Sequence, residues 1–191
     1  MALTKNEYYK ETLSGLSFSK ETITGRLFDE CLFDNCSFIE CKFDRCRFLN
    51  CRFDKCNLSA VVPSNSRFSE VKFSDSKVIG FDWTKAANIE RLEFKGCQIN
   101  YSSFKLLKLP GIKIINCEAK EVAFIETDLS KGDFINTDFE NSRFFKTNLS
   151  RANFKGARNY SIDVHNNTLT KAQFSLPEVL SLLSSLDIII E

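Results

Sequence analysis

The chain has 191 residues, 43% of them hydrophobic and 27% charged, with 26 basic against 25 acidic side chains. That is enough for one cooperative core and short for two independent ones. The charges balance on either side of Trp83, 12 basic against 12 acidic before it and 14 against 13 after, which excludes both a strongly basic nucleic-acid surface and a strongly acidic one.

Residues 1–12 are polar apart from Tyr8 and Tyr9, and are expected to lid whatever follows. From Leu13 an apolar residue returns every fifth position: Phe18, Ile23, Phe28, Phe33, Phe38, Phe43, Phe48, Phe53 and Leu58, with Pro63 the one break, then Phe68, Phe73, Val78 and Trp83. The next step is six residues, to Ile89. The period of five then resumes through Phe94, Ile99, Phe104, Leu109, Ile114, Ala119, Phe124, Leu129, Phe134, Phe139, Phe144, Leu149 and Phe154, and more weakly through Asn159, Val164, Leu169 and Phe174. Two residues before each stands a second set that is mostly small or apolar, including six consecutive cysteines, Cys31, Cys36, Cys41, Cys46, Cys51 and Cys56, and later Ala87, Cys97 and Cys117. Large and small inward positions therefore alternate, as an interdigitated core requires.

A helix would rotate a five-residue stripe around its axis, and a simple strand needs a period of two. A solenoid whose units each turn a corner meets the pattern. The runs Thr127-Asp128-Leu129, Gly132-Asp133-Phe134, Thr137-Asp138-Phe139, Thr147-Asn148-Leu149 and Ala152-Asn153-Phe154 resemble the motif of the pentapeptide repeat family, and the resemblance extends over residues 13–174. It implies an all-β solenoid, a right-handed quadrilateral parallel β-helix with four pentapeptides per coil. The register then gives about eight coils and a rod of roughly 40 Å at ~4.8 Å per stacked strand. The extra residue at 84–88 reads as a bulge or kink within the rod, since no Gly/Pro/Ser-rich stretch accompanies it.

Residues 175–191 change character. Ser175 as N-cap, Pro177 in the first turn and Glu178 three residues after the cap predict a C-terminal α-helix, which would cap the last coil. Leu180, Leu183, Ile188, Ile189 and Ile190 are more apolar surface than a cap needs, so this segment is a candidate homodimer interface; family members of known assembly often pair through such elements.

The cysteines read as small hydrophobes in the core. No leader of the basic-then-apolar kind and no membrane-length apolar run is seen, so a cytoplasmic location with reduced thiols is expected. A metal held by Cys31, Cys36, Cys41 and Cys46 is the sharper alternative, but zinc ligands usually come in pairs from one short knuckle. No catalytic, cofactor-binding or metal residues are assigned. His165 is the only histidine, is placed outward by the register and has no nucleophile motif beside it. Asp34 and Asp54 would stack in one column, with Arg52 and Lys72 adjacent. Arg45, Arg47, Arg67 and Lys85 gather near one side, yet Glu40, Asp44 and Asp82 dilute them, and the reading is a mixed surface rather than a phosphate site.

The outward apolar residues are more pointed. Ile115 should stack on Ile135 and Ile125 on Phe145, giving two short ladders on opposite sides that are candidate partner-binding residues. A non-enzymatic protein-binding or scaffold module follows, with partner unknown. The resemblance adds an alternative, because some pentapeptide repeat proteins are rod-shaped DNA mimics that bind type II topoisomerases such as DNA gyrase and give protection from quinolones or toxins. Against that, the charge is near neutral, and the inserted loops of the quinolone-resistance members are absent.

Overall fold

A computed structural model describes residues 3–186 and 188. Short three-residue strands stack in parallel on the strand about twenty residues away, so that Glu7–Tyr9 pairs with Leu27–Asp29 and Leu27–Asp29 with Arg47–Leu49. Arg47–Leu49 in turn pairs with Arg67–Ser69. Four such columns make four faces, each named by its first central residue: the Tyr8, Leu13, Phe18 and Ile23 faces. The solenoid has about seven regular turns, with a further, less regular turn above them in which Asn148 and Asn153 still pair with Thr168 and Gln173.

The period of five exists because each face holds one inward side chain and each corner another. The aromatic columns are continuous. Phe28, Phe48 and Phe68 stack at 5.1 and 5.0 Å, and Phe33, Phe53, Phe73 and Phe94 at 4.4, 5.0 and 5.0 Å. Neighbouring columns meet edge to face, as Phe38 meets Phe43 at 5.4 Å. Each buried ring contributes about 2–3 kcal/mol by removal from water, and the ring geometry adds to that. Corners fall two residues after each central position, where the backbone enters the left-handed region: φ is +51° at Asn35 and +54° at Asn136.

The alternating small position is more than a space-saver. Ser66 Oγ donates to the Phe43 carbonyl (2.9 Å) and accepts from the Cys46 amide (2.9 Å), tying consecutive coils together. Thr137 does the same between Ile114 O (2.7 Å) and Cys117 N (3.3 Å). Cysteine substitutes its thiol, with Cys46 Sγ on Ile23 O at 3.2 Å and Cys51 Sγ on Phe28 O at 3.3 Å. Carbonyls that turn inward at the corners are thereby satisfied without water.

Four expectations need revision. Residues 1–12 are not a separate lid, because Tyr8 is already a central core residue, buried and stacked on Phe28 at 5.0 Å. The extra residue lies where expected, and pairing passes from Phe68 to Ile89, twenty-one residues on; but Ala87 is exposed rather than inward. Near the top the register slips: Asn159 is exposed and Val164 half-buried, while Tyr160 and Ile162 are buried instead. The Tyr160 ring packs on Phe154 and Phe174, each 5.6 Å away between centroids, and this aromatic contact outweighs a hydroxyl without a partner among the described residues. The C-terminal element, Glu178–Ser185, is wound as a 3-10 helix rather than an α-helix. Pro177, not Ser175, is its N-cap, and Ser175 Oγ accepts from the Gly156 amide instead of capping. Ser184 and Ser185 donate to the carbonyls three residues back, which favours the tighter winding. Leu182 packs against the core.

Candidate interaction surfaces

The fold leaves few places for chemistry. Concavities are open grooves of about 190–410 Å³ along the corners. Among the described residues no three His, Cys, Asp or Glu side chains come together as a metal site. Cys31, Cys36, Cys41 and Cys46 lie on four successive sides of one coil, and the thiols of Cys36 and Cys46 donate to the carbonyls of Leu13 and Ile23. All eight cysteines are free and buried. Burial pushes the Cys46 thiol up and the Cys51 thiol to about 12, so these groups stay protonated. His165 is exposed, its amide donating to Asp163 Oδ1 at 2.7 Å.

Two predicted ladders form. Ile125 is in register with Phe145 on the Ile23 face, and the Asn116 amide donates to the Ile135 carbonyl at 2.9 Å, setting Ile115 and Ile135 in one column of the Leu13 face. Ile115, Ile125 and Ile135 are half-buried, whereas Phe145 is 42% exposed with Lys146 Nζ 5.5 Å from its ring centroid. At the C-terminus Leu180 and Ile188 are both 53% exposed and Leu183 is half-buried; Ile189 and Ile190 lie outside the described residues.

The expected dilution of the basic cluster is different in three dimensions. Glu40 pairs with Lys20, Asp44 with Lys42 and Arg45, and Asp82 accepts from Thr84. Each carboxylate is engaged locally. Arg47 and Arg67 are left directly opposite one another in parallel register.

Sequence reasoning also passed over Leu106, the most exposed large apolar side chain of the solenoid body at 71%. It stands at a left-handed corner, φ +63°, where the other corners carry mainly Asn, Gly or charged residues. That departure was readable by setting the corner residues side by side. Asp138, which stands in one of the repeat motifs, is a buried hub. Arg158 Nη2 lies 3.3 Å and Lys120 Nζ 3.8 Å from its Oδ2, and Asn159 Nδ2 donates to its Oδ1 at 2.8 Å. Burial pushes its carboxyl up, but the Asn159 amide, the Glu140 backbone and the two cations together outweigh that and hold it below the usual carboxylate range.

Five-residue steps, four faces and parallel stacking at twenty residues define a quadrilateral β-solenoid of the kind built from pentapeptides. The chain belongs to the pentapeptide repeat family: a model described as a pentapeptide repeat region matches residues 26–104, and one for pentapeptide repeats in eight copies matches residues 124–158. Similar solved structures include two trypsin-treated forms of QnrB1, a plasmid-mediated fluoroquinolone resistance protein. One has a TM-score of 0.74 at 15% identity, covering 97% of this chain and 100% of the other; the second has 0.75 at 16%, covering 100% of both. HetL, a pentapeptide repeat protein involved in heterocyst differentiation regulation in the cyanobacterium Nostoc, has a TM-score of 0.56 at 12% identity over 89% and 87% of the two chains. At these identities the likeness is one of fold. No curated protein sequence matches the chain significantly. Among the described residues no helix is long and apolar enough to cross a membrane.

Proposed function

We propose that this protein is a non-enzymatic rod that binds another protein through its outward ladders. The observation that carries this reading is the Ile125–Phe145 pair. Lower on the same face the corresponding positions hold Asp44, Ser64, Thr84 and Lys105, so the solenoid does not need apolar groups there. Stacked, partly exposed apolar residues lose water only when a partner covers them. We assign the C-terminal Leu180, Leu183 and Ile188 to self-association, pairing two rods end to end about a two-fold axis. Leu182 already provides the contact that a simple cap requires.

Quantitative capture on wild-type protein and on the Ile125→Asp and Phe145→Asp variants tests the ladder. A partner retained by wild type and lost by both variants, at unchanged melting temperature, supports it; equal retention overturns it. Light scattering on wild type and Leu180→Asp tests the second part, with a dimer expected to become a monomer because a carboxylate buried without a partner is costly. A monomeric wild type overturns that part. The topoisomerase alternative rests on shared shape with QnrB1, and the balanced surface opposes it, since Lys and Arg among carboxylates make a poor substitute for the phosphate field of a duplex. Stoichiometric effects on a DNA gyrase supercoiling assay, with and without a quinolone, would install it in place of a ladder-binding rod.

A further inference from the structure

The edge where the Ile23 and Tyr8 faces meet combines three features that the solenoid itself does not use. First, Arg47 and Arg67 stack in direct register, and like charges so placed destabilise a sheet. Farther along the same edge stand Lys85, Lys105 and Lys108, all exposed. Among the described residues none of these five cations forms an ion pair: Glu40 and Asp44 are paired elsewhere, and Asp128, in register with Lys108, accepts from Ser130 and Asn148 instead. Asp82 holds Thr84, and Glu90 accepts from Asn88 and Ser69.

Second, the extra residue at 84–88 turns Ala87 out of the core and opens a groove of about 210 Å³ between coils, lined by Ala86, Ile89 and Leu107 with Asn88 and Lys108 at its mouth. Ala86 packs against the core at this corner and forms one wall of the groove. Third, Leu106 beside that groove is 71% exposed and holds a backbone conformation that asparagine or glycine adopts more readily. A residue that costs the fold and returns no packing is a sign of a site.

We propose that this edge, from Arg47 to Lys108, seats an acidic segment of the partner protein. An apolar side chain of that segment enters the groove beside Leu106 and Leu107, and its carboxylates face Arg67, Lys85, Lys105 and Lys108. Charge complementarity chooses the occupant: a cationic rim around an apolar floor recognises carboxylates interrupted by an apolar anchor. A nucleic acid would use the rim and leave the floor idle. The inference rests on the protein-binding reading above and names the chemistry of what is bound.

Fluorescence anisotropy with the full chain is the test. The probe is a labelled peptide of about eight residues, Glu and Asp flanking a central Leu-Phe pair, long enough at ~3.3 Å per residue to follow the ~14 Å between the Arg47 and Lys108 levels. Saturable binding that weakens with salt is expected, with losses of about tenfold for Arg67→Glu and for Lys108→Glu. Leu106→Asn should weaken binding by about tenfold as well, while leaving the melting temperature unchanged or raising it, because asparagine tolerates the left-handed corner. Replacing Leu-Phe in the probe by Ser-Ser should have the same effect as Leu106→Asn. Failure of the peptide to bind, or indifference to these variants, overturns the proposal. So does a single-stranded oligothymidine of equal charge that binds as tightly, which would make the edge a phosphate surface. If ladder-dependent partner capture persists while the peptide fails, this inference falls and the protein-binding reading stands.

Discussion

Below the extra residue at 84–88 the rod is built from extended triplets, and above it mostly from hydrogen-bonded turns. In the lower part Arg47, Arg52, Arg67 and Lys72 precede the central phenylalanine and stand in strands. In the upper part that position holds Asp128, Asp138, Asn148 and Asn153, whose side chains accept from the backbone amide two residues on, at 2.9–3.2 Å. They also stack as amide-to-carboxylate rungs, Asn148 on Asp128 at 3.0 Å and Asn153 on Asp133 at 3.2 Å. Where Asp or Asn just before the core position accepts from the amide two residues on, that bond helps to close the turn. The upper part uses that position to hold itself together; in the lower part Arg52 pairs with Asp54, whereas Arg47 and Arg67 stand opposite one another without an ion pair among the described residues.

The largest test asks whether the two parts share one core. Phe53→Ala below and Phe154→Ala above each remove a fully buried ring and should each cost about 3–5 kcal/mol in chemical denaturation, with a single transition in both variants. Aromatic contacts run across the boundary, with Trp83 5.3 Å from Phe68 and 5.9 Å from Phe104. A second transition appearing only in the Phe154 variant would show that the rod divides at the extra residue.

Next in size is Asp138, the hub that anchors the slipped register of the top coil. Asp138→Ala should cost about 1.5 kcal/mol, since it removes the buried charged acceptor of Asn159 and Arg158, while those exposed donors can turn to water. Its folded carboxyl titrates below the unfolded value of ~3.9, so its contribution is complete above that pH and is lost as the pH falls through the lower folded value. The difference in stability between wild type and variant should therefore shrink in acid. A pH-independent difference would mean that the carboxylate charge is not what matters.

The parts also differ at the small inward position. One column of it runs Cys46 and Ser66 below, then Thr127 and Thr147 above, all buried. An unfolded thiol ionises near ~8.5, whereas folded Cys51 keeps its proton to about 12. Between those values the unfolded chain holds fewer protons than the folded one, so stability is complete below ~8 and declines at higher pH, by up to about 1.4 kcal/mol per pH unit per thiol. Hydroxyls do not titrate there. Six of the eight buried thiols lie below Trp83, with only Cys97 and Cys117 above it, so hydrogen exchange at pH ~10 should accelerate more below Trp83, and a uniform acceleration would remove thiol ionisation as the cause.

Much of this was legible in the sequence, because the period of five is written in the largest side chains. Phe28 to Phe154 reach the columns assigned to them, and Ile125 stacks on Phe145 and Ile115 on Ile135. What escaped lies where side-chain identity stops deciding. Asn159 and Val164 keep the period, but the top coil has few neighbours above it to enforce a register, so burying Tyr160 and Ile162 wins. Ser175 has the right spacing for a cap yet finds a better amide at Gly156 in the coil beneath. Cysteine, serine and threonine were read as merely small, although their interchange in one column marks a shared donor to the coil below. Charge counting misled at the Arg47 edge, because a count cannot tell which carboxylates are already engaged.

The smallest expected effect bears on that edge and on why the lower part tolerates it. Arg47→Thr replaces one of two opposed guanidinium groups by a residue that suits a strand. Relief of the like-charge pair should raise stability by a few tenths of a kcal/mol at low ionic strength and by less as salt screens the pair. The matching change above the boundary, Asn148→Thr, removes a rung to Asp128 and a turn-closing bond to Ser150, so it should lower stability instead. Opposite signs at equivalent positions would separate a surface held for binding from one held for folding. If Arg47→Thr is destabilising at low salt, the stacked arginines serve the solenoid, and their cost can no longer be offered as a sign of a site.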